Sequence, residues 1–148
     1  VQTCALPISA NTFPETADLP LFKVKGQLLE MEWPPSLPPL KHTLNSYAYI
    51  AMHSETTCLA GSTYERDDFS EEPNLERAVE LLMPKIVQLV PELAHAKILS
   101  CKAGIRAVTG NHLPLLKQIT PKGYVLTGMG SKGLLYHALY AQKCAKEM

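Results

Sequence analysis

From Leu21 to Glu32 the run Leu-Phe-Lys-Val-Lys-Gly-Gln-Leu-Leu-Glu-Met-Glu alternates apolar and polar residues, the period of a half-buried strand, with Gly26 marking a bulge or a close backbone approach. Trp33-Pro-Pro-Ser-Leu-Pro-Pro-Leu40 carries four prolines, which fix φ and remove donors, so a surface loop is expected. Strands are expected over Leu44 to Met52 and Thr56 to Thr63, joined by a turn at His53-Ser-Glu55, and strands linked this closely pair antiparallel. Pro73 suits the first position of a helix, and Leu75, Ala78, Val79, Leu82, Ile86 and Leu89 recur at helical steps to form one apolar face. The acidic segment Glu65 to Glu72 complements the dipole of that helix, while Pro84 is expected to kink or divide it.

A second long strand is expected over Lys97 to Thr109, with Gly104 in its middle. A turn follows at Gly110-Asn-His-Leu-Pro114, then an ambiguous stretch from Leu115 to Ile119 and another turn at Thr120-Pro-Lys-Gly123. Tyr124 to Thr127 reads as a short buried strand, Gly128, Gly130 and Gly133 as a glycine-rich turn, and the remainder as a helix towards Met148. A strand that stops at glycines and restarts as a helix leaves backbone N–H groups and a positive dipole end aimed at whatever lies above them, a setting for an anion or an electron-rich ring edge. The same pattern also fits a tight turn whose glycines supply φ > 0.

Strand alternation puts Arg106 on the face of Gly104 and Val108, opposite Ala103, Ile105, Ala107 and Thr109. Its fork of donors suits a carboxylate ligand or a structural ion pair with the upstream acids. Tyr47 and Tyr49 share a face of their expected strand, either lining a pocket or sitting in the core with a wet hydroxyl.

Composition adds one asymmetry. The formal net charge is zero, yet residues 1–84 carry five Lys/Arg against 12 Asp/Glu, and residues 85–148 carry nine against two. An anionic ligand should therefore meet the C-terminal half. With 46% hydrophobic residues over 148 positions the chain can bury a core, and nothing approaches the roughly 20 consecutive apolar residues of a membrane span. Cys4, Cys58, Cys101 and Cys144 form no CxxC pair and no metal-like spacing, so reduced, mostly buried thiols and a cytoplasmic location are expected. The five histidines show no ligand spacing and no nucleophile–base pairing, and Ser62 and Ser131 lack a nucleophile elbow, so neither a metal centre nor acyl transfer is expected. Residues 1–9 fit nothing that follows and look like the translation of a sequencing adapter. The natural protein is accordingly expected to begin upstream.

Five segments in this order resemble the C-terminal part of the FAD-dependent amino-acid oxidase family, which includes glycine oxidase, sarcosine oxidase and D-amino-acid dehydrogenases. They are Val24-Lys-Gly-Gln27, Ser46-Tyr-Ala-Tyr-Ile50, Leu59-Ala-Gly-Ser-Thr-Tyr-Glu65, Gly104-Ile-Arg-Ala-Val-Thr-Gly-Asn-His-Leu-Pro114 and Thr127-Gly-Met-Gly-Ser-Lys-Gly-Leu134. Within the family, Gly61-Ser-Thr-Tyr-Glu-Arg66, His112-Leu-Pro114 and Gly130-Ser-Lys-Gly-Leu134 are most similar to the oxidase modules of tRNA 5-methylaminomethyl-2-thiouridine biosynthesis proteins. Those modules oxidatively remove a carboxymethyl group from a modified wobble uridine.

The resemblance implies an α+β architecture: an antiparallel substrate-domain sheet with a flanking helix over residues 10–109, then, over residues 110–148, the C-terminal strand–turn–helix of an FAD-binding domain. It implies FAD as cofactor, contacted by Met129, Gly130, Ser131, Lys132, Gly133, Leu134 and Leu135, and an amine or amino-acid-like substrate, with tRNA as the candidate carrier, held by Arg106 and Tyr49. A free amino-acid oxidase and a non-enzymatic binding module are the alternatives. The family carries its nucleotide-binding strand–GxGxxG–helix unit near its N-terminus, and that unit is not among these 148 residues, whose one match to the glycine spacing, Gly128 to Gly133, is the C-terminal glycine-rich turn. The missing N-terminal half of the site is therefore expected elsewhere in the protein, and this chain alone should neither hold FAD tightly nor show activity. Stoichiometric yellow flavin in the purified 148-residue chain would overturn that expectation.

Overall fold

A computed structural model describes residues 7–121 and 123–147, and the chain divides into two compact units. Residues 25–104 form one; residues up to 24 and from 105 onward form the other. The elements in chain order are β1 (Leu21–Glu32), β2 (Leu44–Asn45), β3 (Tyr49–Met52), β4 (Thr57–Gly61), α1 (Leu75–Leu89), β5 (Ile98–Thr109), β6 (Leu115–Thr120), β7 (Gly123–Thr127) and α2 (Gly133–Glu147). No described helix is long and apolar enough to cross a membrane.

In the first unit the sheet runs β2-β3-β4-β1-β5. The hairpin β3–β4 pairs Tyr49 with Gly61 through Met52 with Cys58, and β1 pairs antiparallel with β4 from Leu28–Gly61 to Glu32–Thr57. Leu29, Met31, Ile50, Cys58 and Ala60 share one face of this sheet and are buried with Ala78, Leu82 and Ile86 of α1. That burial is the main driving force of the unit, worth about 1.5–3 kcal/mol for each large side chain.

Four local expectations give way in the folded chain. The expected strand from Leu44 to Met52 folds back on itself, because Ser46 N–H donates to Ala48 C=O (2.9 Å) and Leu44 then pairs with Ile50. Tyr47 lies in that bend, three-quarters exposed, so it shares no strand face with Tyr49. The proline loop does form, but Trp33 within it is 6% exposed, and its indole N–H donates to Leu37 and Pro38 carbonyls while Leu37 and Leu40 pack on the core. Pro73 is displaced from the first helical position because Asn74 caps the helix, accepting from Arg77 N–H (3.0 Å). Pro84 leaves α1 undivided: it is exposed, as is Glu80, whose carbonyl loses its N–H partner, so the missing bond falls on the solvent side.

The second unit contains the antiparallel pair β6–β7, running from Leu115–Thr127 to Thr120–Gly123 with an irregularity between Gln118 and Thr120. The ambiguous stretch is thus a strand. Tyr124 to Leu126 are only half-buried, so β7 is less enclosed than its apolar sequence suggests. Of residues 1–9, the first six lie outside the described residues, and Pro7–Thr12 forms a 3-10 segment. Among the cysteines Cys58 is buried, Cys101 and Cys144 are half-buried, all three are free, and Cys4 lies outside the described residues. Burial pushes the Cys58 thiol up to about 11, which keeps it protonated and unreactive at neutral pH.

Candidate flavin turn and substrate sheet

The glycine-rich turn is built on the end of β5. Val108 bridges to Met129, and Gly130 N–H donates to Ala107 C=O (3.0 Å). Ala107, Val108 and Thr109 there are buried in succession rather than alternately. Arg106, just before them, is half-buried. Thr109 Oγ donates towards Asn111 Oδ1 (2.9 Å) and Leu113 C=O (2.6 Å), which shapes the following loop, where His112 takes a left-handed φ of 59°.

Gly128 and Gly130 have φ values of 72° and 54°. A Cβ at Gly128 would lie 2.7 Å from Thr109 Cγ2, and one at Gly130 would lie 3.0 Å from Val108 Cγ1. The glycines are required both by backbone conformation and by the close approach of the turn to β5. Gly128→Ala is therefore expected to cost about 1–3 kcal/mol, measured as a lowered urea midpoint of the chain. A midpoint within error of the parent would show that the turn relaxes freely.

Beyond the turn, Lys132 N–H donates to Met129 C=O, and Leu135 and Tyr136 N–H groups donate to Lys132 C=O, each at 3.0 Å, starting α2 at Gly133. The amides at the start of a helix have no intrahelical acceptor and carry its positive dipole end. Ser131 and Lys132 are exposed, Leu134 and Leu135 are 92% and 70% exposed, and Met129, Gly130 and Gly133 are half-buried. An electron-rich ring edge suits such a terminus, because the dipole of α2 is positive there.

In the other unit, Tyr49 opens β3, half-buried and opposite Gly61. Its face of the sheet is the one turned away from α1, since neighbouring Ile50 belongs to the core. The opposite, α1-facing side of the sheet carries a polar network that the candidate site did not include. Lys25, fully buried, places its ammonium 2.6 Å from Asp68 Oδ2 and 2.7 Å from Glu72 C=O. Gln27, also fully buried, donates from Nε2 to Glu65 Oε1 (2.9 Å) and from its backbone N–H to Thr63 Oγ1 (2.8 Å), and its Oε1 accepts from Asn74 N–H (2.6 Å). Thr63 Oγ1 donates to Glu65 Oε1, and Arg77 Nε lies 4.0 Å from Glu65 Oε2. A signal was present: Lys25 and Gln27 are in phase with Leu29 and Met31, so they are polar residues on the inward face of β1.

The ammonium of Lys25, and then the N–H of Ser70, hold the Asp68 carboxyl below its ordinary range. A carboxyl depressed on folding stabilises the fold above its unfolded value of about 4, and that contribution is lost as pH falls through the folded value. The stability gap between the parent chain and Asp68→Asn should therefore be largest near neutrality and narrow below about pH 4. A gap independent of pH in parallel denaturation series would refute the assignment.

The sequence matches the family described as DAO, FAD dependent oxidoreductase, over residues 5–147. It is 32% identical over 144 residues to the tRNA 5-methylaminomethyl-2-thiouridine biosynthesis bifunctional protein MnmC of Polaromonas sp. (strain JS666 / ATCC BAA-500), covering 91% of this chain and 20% of that protein. It is 27% identical over 172 residues to MnmC of Vibrio vulnificus (strain YJ016), covering 93% of this chain and 25% of that protein. Glycine oxidase from Geobacillus kaustophilus superposes with a TM-score of 0.70 at 26% identity, over 86% of this chain and 35% of that one. The chain thus spans a fifth to a quarter of these curated relatives. With the family match extending over nearly all of its length, and with the fold of a glycine oxidase behind it, the chain belongs to the FAD dependent oxidoreductase family.

Proposed function

We propose that this chain is the substrate-sheet and C-terminal part of an oxidoreductase that uses FAD to oxidise the C–N bond of a glycine-like secondary amine, the carboxymethylaminomethyl group of a tRNA wobble uridine. The observation that carries the reading is the positive-φ glycine turn feeding the exposed N-terminus of α2. When bound, FAD accepts the hydride leaving the substrate α-carbon. Met129 to Leu135 would hold the ring edge, where the dipole of α2 favours the negative charge that reduction brings. Lys132, exposed at that terminus, adds to the field. Arg106 would clamp the substrate carboxylate with two parallel N–H donors, and Tyr49 would border the same group. The reacting amine supplies its own lone pair when neutral, so the chain's task is orientation and electrostatics. The similarity to MnmC proteins and the excess of nine Lys/Arg over two acids after residue 84 support RNA as the carrier.

The test is anaerobic reduction of flavin in the full reading frame, with tRNA bearing the carboxymethylaminomethyl group offered against glycine, sarcosine and D-alanine. Bleaching of the flavin by the tRNA alone supports the proposal. Bleaching by free amino acids, independent of tRNA, would favour a second reading as a free amino-acid oxidase, which the likeness to glycine oxidase supports. No bleaching with any of them would sink both.

A further inference from the structure

We infer that Tyr64 and Arg66 form a stacking platform for an unpaired nucleobase of the RNA substrate. The inference deepens the tRNA reading and rests on it for the nature of the ligand.

Beyond Gly61 the chain is pinned to β1 on both sides of Tyr64: Thr63 N–H donates to Gln27 C=O (3.0 Å), and Lys25 and Glu65 exchange reciprocal backbone bonds of 2.9 Å. Alternation along this stretch sends Thr63 and Glu65 into the polar network, 1% and 4% exposed, and turns Tyr64 and Arg66 outward. Tyr64 is 47% exposed, and the Arg66 guanidinium carbon lies 5.3 Å from its ring centroid. A large aromatic ring that is half exposed between two buried neighbours contributes little to the core, yet the backbone on either side of it is bonded to β1. Two planar groups already in contact on a fixed backbone lose little further freedom when a third plane stacks on them.

The ligand follows from the chemistry. A nucleobase has the π-face that suits tyrosine and arginine, and such stacking tolerates any base. Exposed Asp67, Glu71 and Glu72 follow closely in the chain and repel phosphate, so the platform suits a base splayed away from its backbone rather than a duplex. Unpaired loop bases are the part of an RNA that presents itself this way.

The probe is a short single-stranded RNA containing 4-thiouridine, titrated against the 148-residue chain by fluorescence anisotropy, with a self-complementary duplex of matching composition beside it. Tighter binding of the single strand is expected, with photo-crosslinks mapping to Tyr64. Tyr64→Ala should weaken binding roughly 5- to 30-fold, the loss of one stacked base, while Tyr64→Phe keeps the ring and stays within about 2- to 3-fold of the parent. Arg66→Lys should show a smaller loss, since an ammonium lacks the plane. Equal losses in Tyr64→Phe and Tyr64→Ala, crosslinks confined to other residues, equal binding of the duplex, or no binding would each overturn the platform. If Tyr64→Ala alters the unfolding midpoint, the phenylalanine variant and the crosslink position decide. Flavin reduction in the full reading frame is a separate readout: its failure sinks the oxidase reading, whereas failure here with flavin reduction intact removes only the platform.

Discussion

Glu65→Ala is expected to lower the unfolding free energy of the chain by about 2–5 kcal/mol, with an unchanged denaturant slope. The carboxylate is 4% exposed and accepts from Gln27 Nε2 and Thr63 Oγ1, both of which are themselves buried. Removing it takes away the acceptor of Gln27 Nε2 and an acceptor of Thr63 Oγ1 in a space water enters poorly, and a buried donor deprived of its acceptor costs about 1–3 kcal/mol. Arg77, 42% exposed at its side chain, can turn to solvent and adds little to the loss. Glu65→Gln keeps one acceptor oxygen and should fall between the parent and alanine. Urea denaturation of the three chains measures the series. A loss under about 0.5 kcal/mol for alanine would mean that water replaces the carboxylate and that the network does not hold the segment after β4.

Arg106→Lys in the full reading frame is expected to lower kcat/KM for a carboxylate-bearing amine by about 10- to 150-fold, the worth of one lost charge-assisted hydrogen bond. Lysine keeps the charge but not the second, parallel donor, so the loss should fall mainly on KM if the carboxylate is held equally in ground and transition states. An ester of the same substrate, which presents no carboxylate, should react at similar rates with parent and variant. If the variant loses activity on ester and acid alike, Arg106 acts through folding rather than through substrate.

The candidate turn is legible in the sequence because its signal is local. Gly128 and Gly130 are glycines for conformational reasons that act within a few residues, and the helix after them follows from its own composition. What could not be read there was the reason the turn stays in place, namely the bridge from Val108 to Met129 and the bond from Gly130 to Ala107, contacts that close across some twenty residues of loop and hairpin. Tyr47 illustrates the opposite outcome. Alternation placed it beside Tyr49 on a strand face, but Ser46 and Ala48 close a bend there, and the ring projects into solvent.

The sequence by itself determined the elements whose period is internal to them: β1 with both its ends, most of β5, the apolar stripe of α1 and the glycine-led start of α2. Periodicity and capping act over a turn or a few strand residues, and nothing distant has to agree. Tertiary structure decided the fold-back at Ser46, the burial of Trp33 and the pairing of Leu115–Thr120 with Gly123–Thr127. It also decided the clamp of Lys25 on Asp68 and of Gln27 on Glu65 and Asn74, joined across 43, 38 and 47 residues of chain. In that clamp each polar group is placed by a partner far away in the chain, because a buried donor or acceptor has to be satisfied by whatever the fold brings to it.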